Sequence, residues 1–291
     1  MVNKAVISCA GFGTRFLPVV KAFQKELVPI LDKPNIQYVV EECVAVGIRQ
    51  IALVVRPGNT QTNKYFTPDP ELASYLKKVD KSDLLSSLEH IWANTDSLEF
   101  FEQSPDLPYG NGTPLLVAKD FLGKDDFAYL FGDDFIMENK PGNFLQKLLE
   151  KYEQHHPAAI EGVQAVPKEE YNRYGMVLYK KSAIPNQMES IIEKPSIEEA
   201  PSNMAQIGRF VCSDKVIPTL EKQPLGKGNE LWFTETMNIL AHRDTVIAEP
   251  ITDGQWFTTG DPLRWLETNI AQALHDPRYS ADLRRFLATK S

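Results

Sequence analysis

Short apolar runs alternate with amphipathic stretches along the first half of the chain. Residues 4–8 and residues 51–55 are apolar runs of the length of a buried strand. Between them, Pro34 precedes a stretch with apolar side chains at helical spacing, and Gly47 follows it in the position typical of a helix C-terminus. Strand, helix and strand in this order predict a parallel βαβ unit with a right-handed crossover.

The same alternation continues further along the chain. Residues 128–131 predict another buried strand, residues 143–155 a helix and residues 160–166 a further strand. The first half therefore indicates an open parallel sheet with helices on both faces. Ligands of such sheets bind beyond the carboxyl ends of the strands.

Other segments depart from this regular order. Residues 67–100 read as an insertion between sheet strands, with surface helices near residues 71–76 and 84–88. From about residue 171 to residue 257 the elements become shorter and the turns contain proline, which predicts a second lobe on the same sheet. Residues 262–274 and 277–288 are expected to be helices that close the chain.

Composition narrows the class of protein. The 291 residues are 43% hydrophobic and 24% charged, enough apolar material for a sizeable core. The net charge of −8 argues against general binding to nucleic acid or to a membrane surface, which usually requires a basic patch. The three scattered cysteines predict reduced buried thiols. With no signal peptide and no apolar run of membrane-spanning length, the expected compartment is the cytoplasm.

A glycine-rich turn follows the first predicted strand. Gly11-Phe12-Gly13 is followed by Arg15 and, ten residues later, by Lys25. Exposed backbone N–H groups and two cations suit a triphosphate. The turn lacks the third glycine of a dinucleotide fingerprint and the Gly-Lys-Ser/Thr ending of a P-loop. The alternative interpretation is a tight turn that serves packing alone.

Two further motifs follow strands. Asp133-Asp134 comes directly after a predicted strand and is a candidate Mg²⁺ site, the alternative being a turn in which one aspartate caps the next element. Lys194 precedes Pro195 at a predicted strand end, where its ammonium group would point into a cleft or lie in an exposed turn. Gly175 would let a flat ligand approach the backbone closely.

Taken in order, these motifs resemble the bacterial UTP–glucose-1-phosphate uridylyltransferases of the sugar nucleotidyltransferase family. The similarity covers nearly the whole chain, including the insertion around residues 70–73. The segments that carry it are Ala-Gly-Phe-Gly-Thr-Arg (10–15), Lys25-Glu26, Asp-Lys-Pro (32–34), Gly-Asp-Asp (132–134), Arg-Tyr-Gly (173–175), Glu-Lys-Pro (193–195), Ala-Pro-Ser-Asn (200–203) and Gly208-Arg209.

The resemblance implies an α/β, Rossmann-like three-layer nucleotidyltransferase fold with a mostly parallel mixed sheet and a sugar-binding lobe. A single domain would span residues 1–291. It would consist of a nucleotide-binding half (1–165) with the helical insertion (67–100), a sugar-phosphate lobe (166–261) and C-terminal helices (262–291).

The implied reaction transfers uridylyl from UTP to glucose 1-phosphate by Mg²⁺-assisted in-line attack on the α-phosphorus. Catalysis would rest on positioning and charge neutralisation. By resemblance, the catalytic cations are Arg15, Lys25 and Lys194, and Asp133 binds the metal. The nucleotide-binding residues are Ala10, Gly11, Gly13, Glu26, Gln103 and Gly110. The sugar-binding residues are Gly175, Glu193 and Gly208.

The chain also departs from the family pattern. Thr258 stands where related enzymes carry an aspartate that is a second metal ligand, and Asp261 is a possible substitute. Trp232 lies in a stretch where the family leads us to expect Gly-Glu-Ile-Gln-Leu-Thr-Asp. These changes leave two alternatives open: a pyrophosphorylase for another sugar 1-phosphate or pyrimidine nucleotide, and a catalytically weak regulatory paralogue that binds nucleotide sugars. A homodimer or homotetramer is expected, with UTP and glucose 1-phosphate as the small-molecule partners.

Overall fold

The structure of the protein is a computed structural model that describes residues 2–89 and 94–290, without the side chains of residues 86–89. Within these residues the strands are β1 (Lys4–Cys9), β2 (Pro29–Ile30), β3 (Lys33–Pro34), β4 (Gln50–Val55), β5 (Ser97–Glu102), β6 (Phe127–Phe131), β7 (Asp134–Glu138), β8 (Ala159–Ala165), β9 (Gly175–Tyr179), β10 (Met188–Glu193), β11 (Met204–Cys212), β12 (Val246–Pro250) and β13 (Gly254–Thr258).

The α-helices of the same residues are α1 (Asn35–Ala45), α2 (Gln61–Tyr65), α3 (Pro70–Lys78), α4 (Ser82–Glu89), α5 (Thr113–Val117), α6 (Lys119–Leu122), α7 (Asn143–His155), α8 (Val216–Leu220), α9 (Phe233–Arg243), α10 (Pro262–His275) and α11 (Ser280–Ala288). Short 3₁₀ turns lie between several of them, including one at Lys25–Leu27 and one at Lys227–Asn229.

Across the described residues, nine strands form the main sheet. Its central path is β10-β9-β11-β6-β1-β4-β5, and β8 pairs with β11 and β12. Strands β6, β1, β4 and β5 run parallel, whereas β11 runs antiparallel to β6, β8 and β9. The mostly parallel mixed sheet is therefore confirmed, although the antiparallel strand β11 interrupts it beside β6.

Helices cover both faces of this sheet. On one face, α1 and α7 contribute Ile36 and Leu145 to an apolar cluster with the odd positions of β1. On the other face, α5, α8 and α9 contribute Leu115, Leu220 and Phe233 to a second cluster. Because apolar side chains of the central strands point alternately into the two clusters, the strands read as continuous apolar runs in the sequence.

The predicted βαβ unit is confirmed in strands β1 and β4 with helix α1 between them. Helix α1 ends where Gly47 adopts a φ of +87°, the left-handed conformation that a glycine tolerates at little cost. The two helices expected within residues 67–100 are also present, as α3 and α4. Residues 90–93 of that predicted insertion lie outside the described residues.

Several element boundaries differ from the sequence-based expectation by one to three residues, and residues 97–100 of the predicted insertion belong to strand β5. Strand β8 begins and ends one residue earlier than residues 160–166. The last helix begins at Ser280 instead of residue 277, because the Asp276 carboxylate accepts a hydrogen bond from the Arg278 backbone N–H and closes a turn there. Among the described helices none combines the length and apolar character needed to cross a bilayer.

Candidate active site

A cavity of about 360 Å³ opens at the carboxyl ends of β1 and β6. The turn after β1 and the Asp133 turn after β6 both border it, as the sheet topology predicts for adjacent parallel strands. Its lining includes the following predicted residues: Ala10, Gly11, Arg15, Lys25, Glu26, Gln103, Gly110, Asp133 and Lys194. Most of the residues predicted from the sequence are thus brought to one cavity.

The glycine turn is shaped around the Lys25 side chain. Gly13 has a φ of +64°, and a Cβ built there would lie 3.0 Å from the Cβ of Lys25. A side chain at position 13 would therefore be strained and would also push Lys25 aside. At Gly11 the nearest atom is Lys25 Nζ, 3.8 Å from the built Cβ. The two glycines leave a channel along which the lysine ammonium reaches the cavity.

Lys25 and Asp133 form the charged centre of the cavity. Lys25 Nζ lies 2.6 Å from Asp133 Oδ2. Burial lowers the pKa of the lysine, but the adjacent Asp133 carboxylate more than offsets this and raises it. Burial likewise raises the pKa of Asp133, while Lys25 and then Arg15 hold it below its ordinary value. Both groups therefore stay charged at neutral pH.

Thr258 and the Asp133 carboxylate both lie close to Gly260, although Thr258 does not border the cavity that contains Asp133. A Cβ built at Gly260 would lie 3.3 Å from Thr258 Oγ1, 3.6 Å from Asp133 Oδ2 and 3.8 Å from Arg15 Nη1. The described residues contain no group of three or more histidine, cysteine, aspartate or glutamate side chains arranged to hold a metal ion. The Asp133 carboxylate and the Thr258 hydroxyl are too few to bind a Mg²⁺ ion alone. They fit the ion only if substrate phosphates and water complete its coordination, which is how Mg²⁺ commonly binds.

The alternative metal ligand Asp261 is engaged elsewhere. Its Oδ1 caps helix α10 by accepting the Arg264 backbone N–H at 3.0 Å, and its Oδ2 pairs with Arg173 at 2.6 Å. These contacts lower the pKa of Asp261 despite the opposing effect of burial. Asp261 does not border the cavity that contains Asp133.

The two aspartates after β6 have different surroundings. Whereas Asp133 borders the cavity, Asp134 is buried in β7, where its Oδ2 accepts the Gly208 backbone N–H at 2.7 Å. Burial and the nearby Asp133 charge raise the pKa of Asp134. A Cβ at Gly208 would lie only 2.6 Å from that oxygen and 2.4 Å from Phe131 Cβ. The glycine at position 208 thus permits close packing of β11 against this turn.

On the nucleotide side, Gln103 follows β5 and Gly110 lies in the loop before α5. Gly110 has a φ of +139°, and its built Cβ would lie 2.3 Å from the Leu231 carbonyl oxygen. Only glycine allows that approach, which ties the loop to the segment preceding α9. Glu26 is buried, and its Oε1 accepts hydrogen bonds from Asn59 and Thr62 at 2.7 and 2.9 Å. Burial raises its pKa against these hydrogen bonds.

A second cavity of about 570 Å³ adjoins the first. Both cavities are bordered by Lys194, Glu230 and Trp232, and the second is also bordered by Glu193 and Thr234. Gly175 lies opposite Glu193 in the β9–β10 pairing, and its built Cβ would lie 3.3 Å from Glu193 Oε2. Neither Gly175 nor Gly208 is among the residues that border these two cavities.

A polar chain links Glu193 to the protein interior. Glu193 Oε2 accepts a hydrogen bond from the Thr234 hydroxyl at 2.8 Å, and that hydroxyl lies 3.4 Å from Gln206 Oε1. The Gln206 amide in turn donates to the fully buried Glu161 carboxyl at 2.5 Å. Sequence reasoning missed Thr234, Gln206 and Glu161, since no local pattern connects residues of β8, β11 and α9.

Other bordering residues also escaped the sequence analysis. Asn111 and Glu230 border the first cavity, and Trp232 was noticed only as a departure from a family pattern. Arg56 does not border the cavity, but its guanidinium carbon lies 5.5 Å from the centre of the Phe12 ring in the glycine turn. The glycine-rich loop 109–112 was the available signal for Asn111.

Comparison with known proteins gives a consistent result. The family model described as nucleotidyl transferase matches residues 4–273. The chain is 36% identical over 287 residues to a protein of Staphylococcus epidermidis named UTP–glucose-1-phosphate uridylyltransferase, covering 98% of this chain and 97% of that protein.

Two solved structures have the same fold. One, titled UTP-bound UGPase from Acinetobacter baumannii, has a TM-score of 0.88 at 34% identity and covers 99% of each chain. The other is a UDP-glucose pyrophosphorylase complexed with UDP-glucose, with a TM-score of 0.82 at 28% identity, covering 95% of this chain and 100% of that one.

Proposed function

Because this chain belongs to the nucleotidyl transferase family, we propose that it transfers the uridylyl group of UTP to glucose 1-phosphate, giving UDP-glucose and pyrophosphate. It matches a protein named for this activity over almost its full length. The observation that carries the proposal is the first cavity, which combines a glycine turn, the Lys25–Asp133 pair and Arg15 with Lys194 at its border. Cations around a cavity of this size suit a nucleoside triphosphate and a second phosphate.

In the proposed reaction, a phosphate oxygen of glucose 1-phosphate attacks the α-phosphorus of UTP in line. The bond between that phosphorus and the oxygen bridging to the β-phosphate breaks, and pyrophosphate leaves with that oxygen. No proton has to move in this step. The work of the protein is to hold the two anions in line and to neutralise their charge, and such positioning supplies a large share of a barrier reduction.

The side chains have separate parts in this scheme. Lys25, kept charged by Asp133, and Arg15 are the proposed cations that neutralise the departing phosphates. Lys194 is the proposed contact of the phosphate group of the sugar phosphate. Gln103 and the backbone near Gly110 are the proposed contacts of the uracil base, and Glu193 is the proposed contact of the sugar. Gly175 and Gly208 border neither cavity, and their sugar-binding roles stay predictions from the family resemblance.

A divalent metal is typical of this family, and we propose Mg²⁺ held by Asp133 together with substrate phosphates. When bound, the ion would supply positive charge to the phosphates. Thr258 offers a neutral hydroxyl near Asp133, so the protein contributes one carboxylate to the proposed site. A homodimer or homotetramer and a cytoplasmic location stay predictions, and the mass in sedimentation at micromolar concentration tests the first.

The decisive experiment measures pyrophosphate release from UTP and Mg²⁺ with a panel of sugar 1-phosphates, and identifies the product by mass spectrometry. We expect glucose 1-phosphate with UTP to be the best pair. Faster release with another sugar 1-phosphate or pyrimidine nucleotide would favour the first alternative, since the departures at Thr258 and Trp232 lie on the sugar and metal side. No release from any pair would favour the regulatory paralogue, which the neutral Thr258 also favours.

A further inference from the structure

Trp232 stands at the junction of the two cavities, beside Lys194. Both residues border both cavities, so the indole ring and the lysine side chain form part of the wall between them. The Lys194 ammonium nitrogen lies 4.3 Å from the centre of the indole ring. This is the geometry of a cation–π interaction, and tryptophan is the aromatic side chain that attracts a cation most strongly.

The tryptophan ring is held in place from several directions. Its indole N–H donates to the Lys227 carbonyl at 3.0 Å, and its backbone carbonyl accepts a hydrogen bond from Gln223 Nε2 at 2.9 Å. A Cβ at Gly226 would lie 2.6 Å from the Cδ1 atom of the ring, so the glycine lets the loop pack directly on it. The ring therefore presents a defined face to Lys194.

The lysine is anchored at its backbone and exposed at its side chain. Its φ is +48°, and its backbone N–H donates to the Tyr174 carbonyl at 3.0 Å. The side chain is 43% exposed, and its ammonium lies 3.4 Å from Glu193 Oε1, longer than a good charged hydrogen bond. A flexible, half-exposed lysine with one long ion pair needs a further contact to keep one position, and the indole face supplies it.

We propose that Trp232 is a positioning residue that holds the Lys194 ammonium at the junction of the cavities, where it meets the phosphate of the sugar phosphate. This inference rests on the proposed function for the identity of that phosphate. A tryptophan that served only to fill space would be replaceable by another apolar side chain. One that orders the lysine acts through its aromatic face, and its loss is felt only while Lys194 is present.

Steady-state kinetics of Trp232→Leu and Trp232→Phe test this proposal. For Trp232→Leu we expect the KM for glucose 1-phosphate to rise three- to thirtyfold, which corresponds to about 0.7–2 kcal/mol. We expect a smaller rise for Trp232→Phe, which keeps an aromatic face, and a KM for UTP within about twofold of the original in both. Trp265→Phe is the matched control, because the indole N–H of Trp265 donates to the Pro29 carbonyl in another part of the fold. We expect this variant to keep the original KM values for glucose 1-phosphate and UTP.

The double variant Lys194→Ala/Trp232→Leu separates positioning from packing. If Trp232 acts through the lysine, the double variant is no worse than Lys194→Ala alone. Losses that multiply in the double variant would overturn the proposal, as would a Trp232→Leu enzyme with the original KM for glucose 1-phosphate.

A chemical readout is independent of catalysis. After brief treatment with acetic anhydride, peptide mass spectrometry gives the acetylation rate of Lys194 relative to the exposed Lys181. Because the ring covers one side of the amine, we expect this ratio to rise two- to tenfold in Trp232→Leu. An unchanged ratio would refute the ordering of Lys194 by Trp232. Absence of pyrophosphate release by the unsubstituted protein would instead refute the proposed function and leave this measurement decisive for Trp232.

Discussion

Substitution of Glu161 by glutamine tests whether the buried polar chain behind Glu193 contains a neutral carboxylic acid. Glu161 is fully buried in β8, its Oε2 accepts a hydrogen bond from Gln206, and its Oε1 has no hydrogen-bond partner among the described residues. Burial raises the pKa of Glu161 from 4.5 to about 8, against the smaller lowering effect of Gln206. At neutral pH the folded protein therefore keeps a proton that the unfolded chain has released.

The sign of the pH dependence follows from this proton. Between pH 4.5 and about 8 the folded state binds one proton more than the unfolded state at this site. The free energy of unfolding consequently falls as the pH rises through that window. A difference of about 3.5 pH units between the two pKa values corresponds to about 5 kcal/mol across the whole window. Above the folded pKa both states are ionised and the contribution no longer changes.

Glutamine has nearly the same shape but does not titrate. We expect Glu161→Gln to remove about 3.5 kcal/mol of decline in stability between pH 5 and pH 8, since this range covers most of the window but not all of it. An extra buried amide N–H that lacks a partner costs about 1–3 kcal/mol, so the variant starts lower at pH 5 and overtakes the original protein towards pH 8. The slope against pH, and not the stability at one pH, is the measured quantity.

The assay is urea unfolding at pH 5, 6, 7 and 8, with the apparent free energy of unfolding extrapolated to water. Glu249→Gln is the matched control. Glu249 is also buried, but Lys147, Lys151 and Asn186 hold its pKa below 4.5 against the effect of burial. Its carboxylate is ionised in both states throughout this range, so its replacement should lower stability by a constant amount. Parallel curves for the original protein and Glu161→Gln would show that Glu161 carries no proton, and would refute the reasoning.

Three further substitutions address the candidate active site. Lys194→Ala is expected to lower turnover by about ten- to a hundredfold or more. The reason is that losing a contact that tightens in the transition state costs about tenfold per 1.4 kcal/mol. Unchanged turnover would remove Lys194 from the mechanism. Thr258→Asp adds a carboxylate beside Gly260, near which Asp133 Oδ2 also lies, and should lower the Mg²⁺ concentration for half-maximal activity about threefold or more. Thr258→Asn, which is matched in shape but uncharged, should not change that concentration. Gly13→Ala forces a left-handed φ on alanine and a contact with Lys25, and should reduce kcat/KM for UTP by about tenfold or more. Gly58→Ala is the control for backbone strain, because Gly58 has a φ of +72° but open space around it. Equal losses of kcat/KM in Gly13→Ala and Gly58→Ala would contradict the role of the glycine turn.

Local sequence patterns were sufficient for the central elements of the fold. The apolar runs of β1 and β4, the helical spacing of α1 and the glycine after it all specify structure over a few residues, and the structure has each of them. Both predicted motifs at strand ends also border one cavity, because the carboxyl ends of adjacent parallel strands lie at the same edge of a sheet. The family resemblance extended these inferences to most of the remaining site residues, whose catalytic and binding roles stay predictions.

Contacts between distant segments could not be predicted in the same way. The antiparallel insertion of β11 beside β6 depends on pairing between residues about 80 positions apart, for which the chain carries no local signal. The different surroundings of Asp133 and Asp134 follow from β11 as well, since Gly208 on that strand supplies the backbone N–H to Asp134. Two adjacent aspartates of one motif therefore acquire different environments.

The sequence by itself thus determined strands β1, β4, β6 and β8 of the main sheet, helix α1 and the family, and it predicted phosphate binding by the turn after β1. The tertiary structure decided which side chains meet: Lys25 with Asp133, Lys194 with Trp232, and Glu193 with the buried chain that ends at Glu161. The physical reason is that strand and helix formation depends on the spacing of apolar residues along the chain. Charge pairing and burial depend instead on distances through space, which only the packed fold sets.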